Sequence, residues 1–252
     1  MTTRDELVSY ANALLTIDVF NDYAPNGLQV QGRTEIRTLV SGVTASLELL
    51  EAAAARNADA VLVHHGYFWK GEDPCVTGMK YHRLQQLMTS GMNLLAYHLP
   101  LDAHRQYGNN AQLAEKLQII VDDVRPVGQG CPILFLGHLP VAQDAEAFAR
   151  HVGTCLGREI LHLPAKRQKI ESIAWCTGAA QGYFDEAIRY GVDAYLTGEI
   201  SEQNTHSSRE CDVHFLAAGH HATERYGVQS LGEHLAEKFS LQHLYIEIDN
   251  PV

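Results

Sequence analysis

Positive charge is the scarcest property of this chain: 19 Lys and Arg stand against 30 Asp and Glu, a formal charge of −11. A field of that sign repels phosphate polyanions, so binding to a nucleic-acid duplex would need a local basic patch, and none is evident. Long apolar runs are missing, and with them any membrane-span candidate. The opening residues, MTTRDELVSY, have neither the basic nor the apolar region of a signal peptide, so a cytoplasmic location is expected. Cysteine is sparse and scattered: Cys75, Cys131, Cys155, Cys176 and Cys211 are odd in number and form no CxxC pair. That spacing argues against a disulfide framework and a thiolate zinc site, and suits a reducing compartment. No glycine-rich phosphate loop, no GxSxG nucleophile turn and no HExxH zinc helix is present. Cys176 in WCTG has no local histidine to activate it.

Histidine is what the chain has in quantity, 14 in 252 residues. Placement matters more than number: the adjacent pairs His64-His65 and His220-His221 each follow an apolar run. Thr3 and Glu6 have capping-box spacing, and the helix they open is predicted to reach Leu15. After the turn-rich stretch NDYAPNGLQVQG, short apolar strands alternate with helices. Strands are predicted near 38–43, 60–63 and 92–97, with helices over 45–56 and 81–89. This order indicates an α/β fold of right-handed βαβ units with mainly parallel sheets.

The second half repeats the pattern. A shift of 134 positions sets TLVSGVTASLELLEAAAARNADAVLVHHG on SIAWCTGAAQGYFDEAIRYGVDAYLTGEI without a gap. Asp59 then falls on Asp193, and His65 on Glu199. Two similar halves are expected, 1–125 and 126–252, with PVGQGCP as the boundary. Between them, residues 126–170 read as strand, helix and strand. Near the C-terminus a strand over 213–217 precedes a single helix through GHHATERYGVQSLGEHLAEKF, and a last strand is predicted over 244–248.

Ligands in parallel α/β sheets collect at the carboxyl ends of the strands. Those ends carry His64 and His65; His98 with Asp102 and His104; Glu199; and His220 and His221 with Glu224. Neutral imidazoles and ionised carboxylates are the usual ligands of Zn²⁺, Fe²⁺, Mn²⁺ and their neighbours. Successive strand residues face opposite ways, so both members of a pair reach one site only from the strand end, where Gly66 leaves freedom to turn. Adjacent ligands also suit two ions a few Å apart. His220 and Glu224 have i, i+4 spacing on one helix face. Asp102 is expected on a loop that Pro100 holds extended. The Asn26-Gly27 pair reads as a turn, and the aromatics of GYFW as packing.

Six ordered segments, NDYAPNGLQVQG, GVTAS, ADAVLVHHGYFWKG, YHLPLDAHRQYGNN, DAYLTGEISEQ and AAGHHATERYG, resemble the Nif-three-like family, whose bacterial members are catalogued as GTP cyclohydrolase 1 type 2 homologues. The resemblance spans about Asn21 to Gly227. It places the family's metal ligands on His64, His65, Asp102, His220 and Glu224. It implies a Nif-three-like fold, a dinuclear metal site in the cleft between the halves and a toroidal homohexamer. Longer members carry an extra central domain, and this chain resembles the compact type. Three imidazoles and two carboxylates supply roughly seven bonds, whereas two ions need about eight to twelve, which leaves positions for water or substrate.

The resemblance implies a metal-dependent hydrolase that opens a purine nucleotide ring through a metal-bound hydroxide. Two divalent ions per chain (zinc, iron, manganese or nickel) are its cofactors. His98, His104, Glu199 and His221 are then expected to handle protons or orient ligands. The alternative is a metal chaperone or metal store without turnover. Nearest in sequence for a nucleotide's phosphates are Lys70, Lys80, Arg83 and Arg105. No nucleic-acid or membrane partner is expected.

Overall fold

The capping box forms as spaced. Thr3 Oγ1 accepts the Glu6 N–H at 3.2 Å, the Glu6 carboxylate accepts the Thr3 N–H at 2.9 Å, and the helix runs Arg4–Leu15. A computed structural model describes residues 2–128 and 130–252. The chain forms two compact units, one of 1–108 with 227–249 and the other of 109–226 with 250–252. The division therefore falls at Gly108/Asn109 rather than in PVGQGCP, and the C-terminal segment returns to the first unit. PVGQGCP instead joins two antiparallel strands, Ile120–Pro126 and Pro132–Asp144. Gln129 in its middle lies outside the described residues.

In the first unit, five strands lie in the order Gln242–Tyr245, Thr38–Thr44, Ala60–His65, Asn93–Ala96 and Gly27–Val30. All neighbours are parallel except the last pair. The central strands are apolar on both faces, as burial under helices on both sides demands. Val61 and Val63 pack with Leu49, Leu50, Leu84 and Leu87 from helices Leu47–Ala55 and Gly78–Ser90. Ala60 and Leu62 pack on the other face with Leu7, Leu15, Leu231 and Leu235 from helices Arg4–Leu15 and Arg225–Phe239.

The second unit has six strands in the order Ile120–Pro126, Pro132–Asp144, Lys169–Trp175, Ala194–Thr197, His214–Ala217 and Leu161–Leu163. Parallel neighbours are confined to Lys169–Trp175, Ala194–Thr197 and His214–Ala217, and the other pairings are antiparallel, so this sheet is mixed. Trp175, Leu196 and Leu216 pack with Phe148 and Val152 on one face, and Tyr195 and Phe215 with Phe184 on the other.

The shift of 134 residues is a structural repeat. Leu39 pairs with Ala60 in the first sheet, and Ile173 with Ala194 in the second. Asp59 accepts the N–H groups of Arg37 and Thr38 and the Arg33 guanidinium at 2.8, 3.0 and 2.9 Å. Asp193 accepts the N–H groups of Glu171 and Ser172 at 3.0 and 2.8 Å, and the Arg167 guanidinium. Each partner is its counterpart's number plus 134. No helix among the described residues is long and apolar enough to cross a membrane.

Candidate metal centre

Strand Ala60–His65 carries both histidines of the first pair. The strand's alternation sends Val63 and Leu62 to opposite faces, yet the His64 and His65 rings converge at its end, with centroids 4.6 Å apart. Gly66 acts differently from the turn expected of it. Its φ lies outside the left-handed region, and a Cβ there would collide with the Gln29 side chain and Ala96 Cβ. The glycine makes room for Gln29, which accepts the Tyr67 N–H at 2.7 Å.

His64 is fully buried, and its Nδ1–H donates to the Tyr97 carbonyl at 2.9 Å. A carbonyl only accepts, so in the neutral ring Nε2 carries the lone pair. That atom faces Asp102 Oδ1 at 3.5 Å. Asp102 lies inside a short helix, Leu99–Ala103, with Pro100 in its first turn, and not on an extended loop. Proline is tolerated there because the first turn needs no N–H from it. His98 joins the pair: one ring nitrogen from each of His64, His65 and His98 lies within 4.8 Å of the others. Its Nδ1–H donates to Asp22 Oδ1 at 2.7 Å. Burial pushes the Asp22 carboxyl up, but His98, the Asn26 amide and the Tyr23 N–H outweigh this and hold it below its ordinary value.

His104 stands apart from that group. Its Nδ1 accepts the N–H groups of Gln106 and Tyr107 at 3.3 and 3.0 Å, and its ring stacks on Tyr107. Burial, then the charge of His234, hold its pKa below the ordinary value. It closes a turn.

In the second unit, the helix expected through GHHATER breaks at Glu224 into His220–Thr223 and Arg225–Phe239. His220 Nδ1–H donates to Glu199 Oε1 at 2.6 Å, and Nε2 faces Glu224 Oε2 at 3.2 Å. Burial would lower the His220 pKa, but Glu224 and Glu199 outweigh it and raise it to about 9. The His221 residue is buried, with its N–H donated to the Val252 carbonyl at 3.0 Å.

Several positioning residues escape a reading of the sequence alone. Gly178 (φ +70) lies against Glu224, and a Cβ there would collide with the carboxylate. Thr223 Oγ1 accepts the Gly178 N–H at 3.0 Å, and Thr197 Oγ1 donates to the Gly178 carbonyl at 3.0 Å. Asn110 Oδ1 accepts the Thr177 N–H at 3.0 Å. Gly178 occupies the repeat position of Thr44, whose hydroxyl lies 3.2 Å from His65 Nδ1. The repeat offered the signal: both loops hold a site residue at the same strand end.

The donor chemistry fits a divalent cation. At His64 the neutral ring turns a lone pair to a carboxylate oxygen, a poor contact without a positive charge between them, and at His220 the proton that Glu224 and Glu199 hold on the ring stands where a cation would. Zinc-sized ions with bonds of about 2.0–2.1 Å at tetrahedral angles set their donors about 3.3 Å apart. The 3.5 Å in His64–Asp102 and 3.2 Å in His220–Glu224 match that spacing. In both, Nδ1–H is fixed by an acceptor, the arrangement common to histidines that bind metals.

The fold and these clusters define an α/β protein with histidine–carboxylate groups that can bind metal ions. Residues 2–251 match the Duf34/NIF3 (NGG1p interacting factor 3) family, and the chain belongs to it. The GTP cyclohydrolase 1 type 2 homolog of Pseudomonas aeruginosa is 56% identical over 245 residues, covering 97% of each chain. That of Escherichia coli K12 is 47% identical over 98% of each. A solved structure of protein ybgI, described as of unknown function, has 46% identity and a TM-score of 0.94, with both chains covered in full.

Proposed function

We propose that the protein is a dinuclear, divalent-metal-dependent hydrolase, and the name of its relatives, GTP cyclohydrolase 1 type 2 homolog, suggests a purine nucleotide as its substrate. Ions of the zinc, iron, manganese or nickel class would be held by His64, His65 and Asp102 of the first unit and by His220 and Glu224 of the second. The observation that carries this reading is the matched design of His64 and His220, each with Nδ1–H tied down and Nε2 turned to a carboxylate. Two bound ions supply Lewis acidity, which activates water and steadies developing negative charge. The chain does the rest. His98, oriented by Asp22, would take and return a proton through Nε2. Glu199 would fix the His220 tautomer. Deep burial of His64, Asp102 and Glu224 keeps these ligands dry and their charges strong.

The test supplies GTP with each metal in turn and follows formate and ring-opened purine. Release of either that depends on the metal and is lost in H64A is expected. Absence across all metals removes the hydrolase reading. Exchangeable coordination fits a metal chaperone or store equally well, and handover of metal to an apo-acceptor without turnover would favour that role. A toroidal homohexamer accompanies this reading, and sedimentation velocity checks it.

A further inference from the structure

Metal binding leaves one concavity of the second unit unexplained. A cavity of about 690 Å³ opens at the carboxyl ends of strands Ala194–Thr197 and His214–Ala217. Ligands gather at such ends, and the volume is within the usual range of roughly 300–1,000 Å³ for small-molecule sites. Leu161, Ile200 and Ala217 give it apolar wall, and Arg158, Glu159 and Glu199 bring charge.

Arg158 is the cation in this wall. Its guanidinium lies on the bare Cα of Gly219 (φ +97), where any Cβ would collide with Nη1 and Cζ. Among the described residues its side chain makes one hydrogen bond, from Nε to the Glu159 carbonyl at 3.1 Å. Among the described residues its terminal nitrogens make no hydrogen bond. In a chain of charge −11, where Arg33 and Arg167 pair with carboxylates, this guanidinium lines a cavity with no ion-pair partner among the described residues. The residues nearest in sequence for a phosphate role are placed otherwise. Lys80 pairs with Glu72 at 3.3 Å, Arg83 lies over the Tyr67 ring, and Lys70 and Arg105 are exposed. Across the cavity, Glu199 bonds both His220 and the Gln181 amide. A ligand filling the cavity is therefore one hydrogen bond from His220.

We infer that this cavity is a substrate pocket in which Arg158 anchors one anionic group, a carboxylate or a phosphate monoester, of a small molecule with an apolar or planar body. The guanidinium's planar fork grips either anion through two parallel hydrogen bonds. One guanidinium balances about one charge, and Glu159 and Glu199 in the same wall repel more. A monoester or organic acid thus fits better than a triphosphate. The inference rests on the proposed hydrolase for the chemistry done on the ligand, while binding itself is tested without it.

The experiment titrates phenyl phosphate, benzoate and neutral benzyl alcohol into the metal-loaded protein by calorimetry, beside R158Q and R158K. At least one anion is expected to bind saturably, about tenfold or more tighter than the alcohol. R158Q is expected to lose that gain and R158K to keep part of it, with metal content and circular dichroism unchanged in both. Preference for phenyl phosphate identifies phosphomonoesters as the source of the anion, and preference for benzoate identifies organic acids. Saturable binding of neither anion, or equal anion affinity in R158Q, overturns the inference. GTP binding tighter than GMP would overturn the preference for one anionic group over a triphosphate. Intact, Arg158-dependent anion binding without any purine turnover would remove the purine reading and leave the pocket standing.

Discussion

His64 and His220 are prepared alike by different neighbours, a backbone carbonyl for one and a glutamate for the other. The carbonyl cannot leave without moving the strand end, whereas Glu199 is an ordinary, replaceable side chain. Asp22 does for His98 what Glu199 does for His220. Because His220 is a proposed ligand, E199Q is expected to weaken metal binding about 10–100-fold while the fold persists, read by competition against a chelating dye and by far-ultraviolet circular dichroism. Gly178 tests position without removing a ligand. G178A would add a Cβ where the Glu224 carboxylate lies, and would hold alanine at positive φ, a strain of about 1 kcal/mol. The expected result is metal content well below that of the parent with only a modest fall in Tm. Full metal content in G178A would show that Glu224 has room to move. H65A should leave fewer than two ions per chain, by elemental analysis.

The repeated βαβ element is locked by one aspartate in each copy. Asp59 and Asp193 each cap the start of a neighbouring strand and bind an arginine. Burial would raise the Asp193 pKa. The N–H groups of Ser172 and Glu171, the Ser172 hydroxyl and Arg167 outweigh it and hold the carboxyl below its ordinary value. A lowered folded pKa means that the unfolded chain binds more protons at acid pH. The contribution is therefore complete above the unfolded value of about 3.9 and fades as pH falls through the folded one. D193N is expected to be less stable than the parent by about 1–3 kcal/mol near pH 6, from strand N–H groups left poorly paired. The gap should shrink when denaturation is repeated near pH 3. An unchanged gap would mean that Asp193 acts through shape alone. The element boundaries were legible where chemistry marks them. Thr3 with Glu6 caps as its spacing requires. The break at Glu224 was not, because no proline marks it between His220 and Phe239.

At the scale of the molecule, each unit owns a large apolar core that includes none of the proposed ligands. Chelation is accordingly expected to leave circular dichroism intact and lower Tm. Restoring metal at about 100 times its Kd should return about 2.7 kcal/mol per site. Loss of secondary structure on chelation would instead make the metals structural. Composition, periodicity and the spacing of strand ends were enough to specify an α/β chain with a repeat at 134 residues and histidines and carboxylates at its strand ends, because these are local patterns. Tertiary structure alone decided the rest. It sent residues 227–249 back to the first unit, withdrew His104 into a turn, gave Gly66 a role in packing, and set Arg158 on Gly219. Each of those outcomes depends on which distant backbone a side chain meets, and no spacing along the chain encodes such a meeting.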